Sequence, residues 1–178
     1  MKDYYIPQKN IFLNTYTIFN DRREGIGLMK LKQNLFRKVL KSIFGSTILP
    51  FTLEIKNENG RLQATVCRKG MYLISKIIIK DGKGNQIGQI KQDFPFFKSK
   101  YKIVNAENKI IAEISGDCKN WNIVINDAVE NEIGRINKDF KRIFRRNDKY
   151  KVHFEATISG DADKIAIISS ALAFNLVL

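Results

Sequence analysis

A chain of 178 residues that is 44% hydrophobic, with 12 Phe and 6 Tyr, has ample apolar side chain for one packed domain, which excludes a disordered tail or linker. Two cysteines, Cys67 and Cys118, cannot make a disulfide scaffold and fit a reducing compartment. The balance of 31 Lys+Arg against 18 Asp+Glu leaves a net charge of +13, which calls for an anionic partner or a densely solvated surface.

The N-terminus, "MKDYYIPQKN", lacks the apolar core of a secretory signal, so cytoplasmic residence is the expectation. From residue 11 onward the chain alternates apolar and polar residues in short runs broken by turn residues. Ile11–Phe19 and Ile26–Leu31 flank "NDRREG", and Phe51–Lys56 and Arg61–Arg68 flank "NENG", an Asn-Gly turn suited to a tight hairpin. Tyr72–Lys80 and Gln86–Lys91 flank "DGKGN"; Tyr101–Asn105 and Lys109–Ser115 flank "AEN". Trp121–Asn126 and Glu132–Asn137 flank "DAVEN", and Tyr150–Ile158 ends the series. About eleven or twelve strands at this spacing predict an all-β barrel or sandwich.

The runs are not independent. "NEIGRINKDF" at 131–140 restates "NQIGQIKQDF" at 85–94, and "EGIGLMKL" at 24–31 is a worn version of both. The re-entry also recurs, as "KYKIV" at 100–104 and "KYKVH" at 149–153. Gly27, Gly88 and Gly134 hold the same place in each unit. A glycine inside a strand implies a bulge, a bend or close backbone approach, as barrel closure requires. The pattern predicts a repeat architecture.

Between the first two hairpins, residues 33–44 predict a short amphipathic helix. Leu35, Phe36, Val39, Leu40, Ile43 and Phe44 share one face, Arg37, Lys38 and Lys41 lie on the other, and Gly45 ends it. Such a helix either caps the open end of a barrel or lies in a membrane interface. The final run, "DADKIAIISSALAFNLVL", predicts a helix over 163–177 with Asp161 or Asp163 as N-cap. It is apolar on every face and so must be enclosed by protein or lipid. At about 14 apolar residues it falls short of the roughly 20 a membrane span needs. Its length of roughly 21–23 Å suits the inside of a small barrel.

The charge is clustered. Residues 30–41, 91–102 and 138–151 carry net charges of +5, +3 and +5, which together equal the whole excess and leave the other 140 residues neutral. In an up-and-down meander the Asp/Asn/Gly turns lie at one end and these segments at the other. One rim is then basic and studded with Phe36, Phe94, Phe96, Phe97, Tyr101, Phe140, Phe144 and Tyr150, while the opposite rim carries Asp21, Glu24, Glu58, Asp81, Glu107, Asp127 and Glu130. Signals for catalysis are weak. His153 is the sole histidine and sits mid-strand, and neither cysteine has CxxC spacing. "GKGNQIG" (82–88) lacks the GK[ST] ending of a phosphate loop and leads into a strand. No catalytic residue, metal site or cofactor is expected.

A barrel of tandem hairpins around a buried C-terminal helix resembles the tubby C-terminal-like superfold, and within it the LURP-one-related and phospholipid-scramblase-like families. The segments that carry the resemblance are "YYIPQKNIFLNTYTIFND" (4–21), "IGQIKQDFPFFKSKYKIVNAENKIIAEISGD" (87–117), "WNIVINDAVENEIGRINKDF" (121–140) and "DADKIAIISSALAF" (161–174). Residues 32–50 look like an insertion relative to the shortest members. The resemblance implies a closed antiparallel barrel, residues 1–178 as one domain with hairpins over 11–158, and a non-catalytic role at membranes. Scramblase-like members also imply calcium at an acidic loop before the last helix. Here its carboxylates, Asp148, Glu155, Asp161 and Asp163, lack the spacing of a Ca²⁺ loop, so no metal is carried over.

The expectation is therefore a module peripheral to the membrane whose basic rim holds anionic phospholipid headgroups. The candidate residues are Arg37, Lys38, Lys41, Lys98, Lys100, Lys141, Arg142, Arg145 and Arg146, with Phe96, Phe97 and Phe144 as interface aromatics. Single-strand nucleic-acid binding is the alternative, because aromatics also stack bases beside cations. A protein-interaction or structural role is the third.

Overall fold

The computed structural model describes residues 2–7, 15–32, 50–68, 76–93, 99–117, 122–139, 149–155, 158 and 160–177. Among them twelve strands run in chain order: β1 (Lys2–Pro7), β2 (Thr15–Phe19), β3 (Gly25–Lys32), β4 (Phe51–Asn57), β5 (Leu62–Arg68), β6 (Ile77–Asp81), β7 (Gln86–Asp93), β8 (Ser99–Asn105), β9 (Ile110–Asp117), β10 (Asn122–Asp127), β11 (Glu132–Asp139) and β12 (Lys149–Phe154). One helix, α1 (Asp161–Val177), follows. Each strand pairs antiparallel with the next, and β1 pairs with β12 from Lys2↔Phe154 to Pro7↔Lys149, so the sheet closes into a barrel. The predicted helix at 33–44 lies outside the described residues.

β1 precedes the alternating runs, the first of which begins at residue 11. Its described inward residues are Tyr4 and Ile6, and Pro7 ends it. Its main partner, β12, lies at the far end of the chain, and among the described residues β1 pairs with β2 at Tyr5↔Phe19.

Five of the hairpins are copies of one another. Aligned without gaps they read "IFNDRREGIG" (18–27), "IKNENGRLQA" (55–64), "IKDGKGNQIG" (79–88), "IVNAENKIIA" (103–112) and "INDAVENEIG" (125–134). The Asx at the third place (Asn20, Asn57, Asp81, Asn105, Asp127) accepts, through its side-chain Oδ1, the backbone N–H four residues on, at 2.8–3.0 Å. The sixth place (Arg23, Gly60, Gly84, Asn108, Glu130) takes positive φ, from 63° to 92°. Its N–H returns to the carbonyl of the Asx. Each hairpin then carries a bulge: the first residue, always Ile, pairs with the tenth, and the next pair skips the ninth.

The tenth place is Gly27, Ala64, Gly88, Ala112 or Gly134, all buried. At the three glycines a Cβ would come within 2.4–2.5 Å of a carbonyl oxygen of the next strand, Lys56, Val104 or His153. At these three places the next strand's backbone leaves no room for a Cβ, which is why glycine recurs there. The sequence repeat is thus fivefold.

Alternate residues point inward: Phe51, Leu53 and Ile55 on β4, Tyr101 and Ile103 on β8, Ile123 and Ile125 on β10, Tyr150, Val152 and Phe154 on β12. The enclosure forced by an all-apolar helix is met by this wall, as Ala166, Ile167, Ala171, Leu172, Ala173 and Phe174 of α1 are buried against it. Two hydroxyls inside are satisfied by the helix itself: Ser169 Oγ donates to the Ile165 carbonyl, and Ser170 Oγ to that of Ala166 at 2.7 Å. The cap is Gly160, whose carbonyl accepts the Lys164 N–H, rather than Asp161 or Asp163, which lie in the first turn and favour the macrodipole. Among the described residues no helix is long and apolar enough to cross a membrane.

Candidate functional site

The meander sorts the strand ends. β1, β3, β5, β7, β9 and β11 finish at one end, where β2, β4, β6, β8, β10 and β12 start. This is the connector end. The five copied turns and the start of α1 lie at the other, the turn end. Tyr101 at the start of β8 packs edge-on against Phe174 near the end of α1, with ring centroids 5.4 Å apart, so the helix points its C-terminus at the connector end.

Of the predicted lipid-binding residues, Lys100 lies in a described strand. Its Nζ is 2.7 Å from Glu113 Oε1 on β9, with the side chain 44% exposed, so part of its charge is already answered within the sheet. Arg37, Lys38, Lys41, Lys98, Lys141, Arg142, Arg145, Arg146, Phe96, Phe97 and Phe144 lie outside the described residues, as does Cys118. Cys67 is a buried free thiol.

Sequence reasoning passed over Arg68. It closes the inward row Ala64, Val66, Arg68 of β5 and is 8% exposed at the connector end. Its guanidinium lies over the Phe51 ring, 5.4 Å from the centroid. Burial lowers its pKa from the usual arginine value, against an opposing pull from Tyr101. The signal was available: a cation at an inward register position beside an aromatic partner strand.

At the turn end, two of the acids that looked like an opposing rim, Asp81 and Asp127, serve their own loops. The Asn85 side-chain amide, with the Asn85, Lys83 and Gly84 N–H groups, holds the Asp81 carboxyl below its ordinary value. At Asp127 desolvation acts upward, but bonds from the Asn131 backbone and side chain and from the Val129 N–H leave the pKa lowered. These carboxylates are turn caps.

His153 belongs to the barrel's closing joint. On the outer face of β12, its Nδ1 contacts Asp3 Oδ1 of β1, while Lys151 Nζ sits 2.8 Å from Asp3 Oδ2 and 5.8 Å from the Tyr5 ring centroid. Glu155 Oε1 is 3.6 Å from His153 Nε2. Desolvation of Asp3 acts upward, and its bonds to Lys151 and His153 outweigh it, so the carboxyl stays below its ordinary value. The cluster staples the last strand to the first. Among the described residues no group of three His, Cys, Asp or Glu side chains could hold a metal ion.

A closed twelve-stranded antiparallel barrel threaded by its C-terminal helix is the tubby C-terminal-like architecture in its scramblase-like form. The Scramblase family model matches residues 11–176, and the chain belongs to that family. Its fold is similar to the X-ray structure of a protein from Arabidopsis thaliana, AT5G01750, with a TM-score of 0.57 over 96% of this chain and 90% of that one. At 10% identity that likeness is one of fold. No curated protein matches the chain. Family and fold together indicate a lipid-related binding module.

Proposed function

We propose that this chain is a non-catalytic module, peripheral to a membrane, that binds anionic phospholipid headgroups at the connector end. The observation that carries the reading is how unequally the meander divides the chain's side chains. The six segments joining strands at that end (8–14, 33–50, 69–76, 94–98, 118–121, 140–148) hold 12 Lys and Arg, one acid (Asp148) and 10 aromatics. The six segments at the other end (20–24, 58–61, 82–85, 106–109, 128–131, 155–160) hold five Lys and Arg, six acids and no aromatic.

Cations near an anionic leaflet each contribute about 1 kcal/mol, and aromatic rings settle at headgroup depth. Arg37, Lys38, Lys41, Lys98, Lys100, Lys141, Arg142, Arg145 and Arg146 are the cations proposed for the headgroups, with Phe96, Phe97 and Phe144 as anchors. Residues 33–44 supply an amphipathic segment on the same side. The family's link to lipid favours headgroups over nucleic-acid phosphates.

Sedimentation with phosphatidylserine or phosphoinositide vesicles at two salt concentrations tests the proposal. Binding should fall with salt. Four cations at about 1 kcal/mol each mean that neutralising Lys141, Arg142, Arg145 and Arg146 with Gln should weaken partitioning roughly a thousandfold. Failure to bind vesicles at low salt, or equal binding by that variant, ends the proposal. Tighter binding to a single-stranded oligonucleotide than to vesicles transfers the basic end to the nucleic-acid reading.

A further inference from the structure

The helix does not fill the barrel evenly. It packs closest against β5 to β8. On the side of β1 to β5 a cavity of about 420 Å³ remains between α1 and the wall. Its walls include Ile18, Ile26, Ile55, Ile165, Ile168 and Leu172, and Glu58 and Lys164 stand at its mouth on the turn end. Ile26, the bulge residue of the first copied hairpin, is only half buried, as are Ile165 and Ile168. The fold leaves these isoleucines accessible inside its own barrel.

Away from the mouth, several polar side chains around the cavity are already engaged elsewhere. Asn57 Oδ1 accepts the Arg61 N–H at 2.9 Å, and Gln63 Nε2 reaches the Arg61 carbonyl at 3.5 Å. Lys56 Nζ is 3.8 Å from Glu54 Oε2, and Ser169 Oγ is turned into its own helix. A water here needs two to four polar partners, and these walls offer it little. The volume falls in the range of about 300–1,000 Å³ typical of small-molecule sites. From Lys164 to Leu172 the helix gives the cavity a depth of about 12 Å.

We propose that this cavity binds the hydrocarbon tail of a single-chain fatty-acid-type amphiphile, with its carboxylate at the mouth beside Lys164. The tail lies along Ile168 and Leu172 and meets Ile18, Ile26 and Ile55 of the wall. The wall beside the cavity includes Tyr4 of β1 and Ile18 of β2, on two strands joined by one pair, Tyr5↔Phe19, among the described residues. The site lies at the turn end, away from the proposed headgroup site.

Isothermal titration with dodecanoate below its micellar concentration tests this. Saturable binding at one site per chain is expected. Ile168→Trp fills the cavity and should weaken binding about tenfold or more, the scale of an overpacked contact. Lys164→Glu should weaken it about two- to fivefold, as expected for one exposed ion pair. If circular dichroism shows that Ile168→Trp is unfolded, Ile26→Phe takes its place. The Gln variant of residues 141–146 should bind dodecanoate nearly as the wild type does, which separates this site from the headgroup proposal. No binding to the wild-type protein, or undiminished binding to the folded filled variant, overturns the cavity assignment; undiminished binding to Lys164→Glu overturns the headgroup placement.

Discussion

At the scale of residues, the five copied turns form an internal comparison series. One backbone position takes positive φ in all five, and the chain fills it with Arg23, Gly60, Gly84, Asn108 and Glu130. A left-handed conformation costs a side-chain-bearing residue about 1–2 kcal/mol, part of which glycine returns as lost unfolded-state freedom. Glu130→Gly should therefore stabilise the fold by roughly 0.5–1 kcal/mol in urea unfolding. Asn108→Gly should change little, since asparagine already tolerates this region. The reverse experiment lies at the bulge. At Gly134 a Cβ would meet the His153 carbonyl oxygen at 2.4 Å and a Phe154 ring carbon at 2.9 Å, and backbone cannot rotate away. Gly134→Ala should destabilise by about 1–3 kcal/mol. An unchanged unfolding midpoint would mean that the strand moves freely there.

At the scale of elements, the barrel is closed by unequal joints. β3 to β12 follow a continuous ladder, whereas among the described residues β1 is held on one side by six register pairs to β12 and on the other by one pair to β2. The Asp3, Lys151 and His153 cluster reinforces the stronger side. Asp3→Ala should accelerate amide hydrogen exchange of Tyr4 and Ile6 while leaving β4 to β9 protected, because the change loosens one strand and spares the ladder. Equal acceleration across all strands would show that the cluster sets global stability instead. The helix is an element that tertiary packing alone makes stable: all of its faces are apolar, and Ser169 and Ser170 survive inside only because they bond their own helix.

At the scale of the whole molecule, many carboxylates have their pKa lowered by the fold. Glu54 is lowered chiefly by Lys32, 2.5 Å away, and Glu132 by Arg135, alongside Asp3, Asp81 and Asp127. A carboxyl whose folded pKa lies below its unfolded value stabilises the fold fully above the unfolded value and loses that contribution as pH falls through the folded one. The reference values are 3.8 for Asp and 4.5 for Glu, so stability should be level around neutrality and decline steadily below about pH 4.5. Thermal unfolding followed from pH 7 to pH 2 checks this, and stability that rose on acidification would contradict it. Acid also removes negative charge from a chain already at +13, so self-repulsion works in the same direction.

Much of this architecture can be read from the chain alone, because its determinants are local. An Asx at the head of a turn, Ile-Gly two strand residues later, and alternation between turns each act within about ten residues, and they announce the hairpins. The C-terminal run announces enclosure because no face of it tolerates water. The same locality explains the misses. Two of five repeats were hidden because Ala64 and Ala112 stand where the others have glycine. β1 escaped because the residues that hold it are some 150 positions away, as Asp3 and His153 show. Arg68 was missed because only strand register, not its place at the end of a run, turns it inward. What only the tertiary structure decided is where the helix rests inside the barrel. Packing against β5 to β8 leaves room on the other side, and that offset depends on the summed volumes of side chains from many strands, which no window of sequence contains.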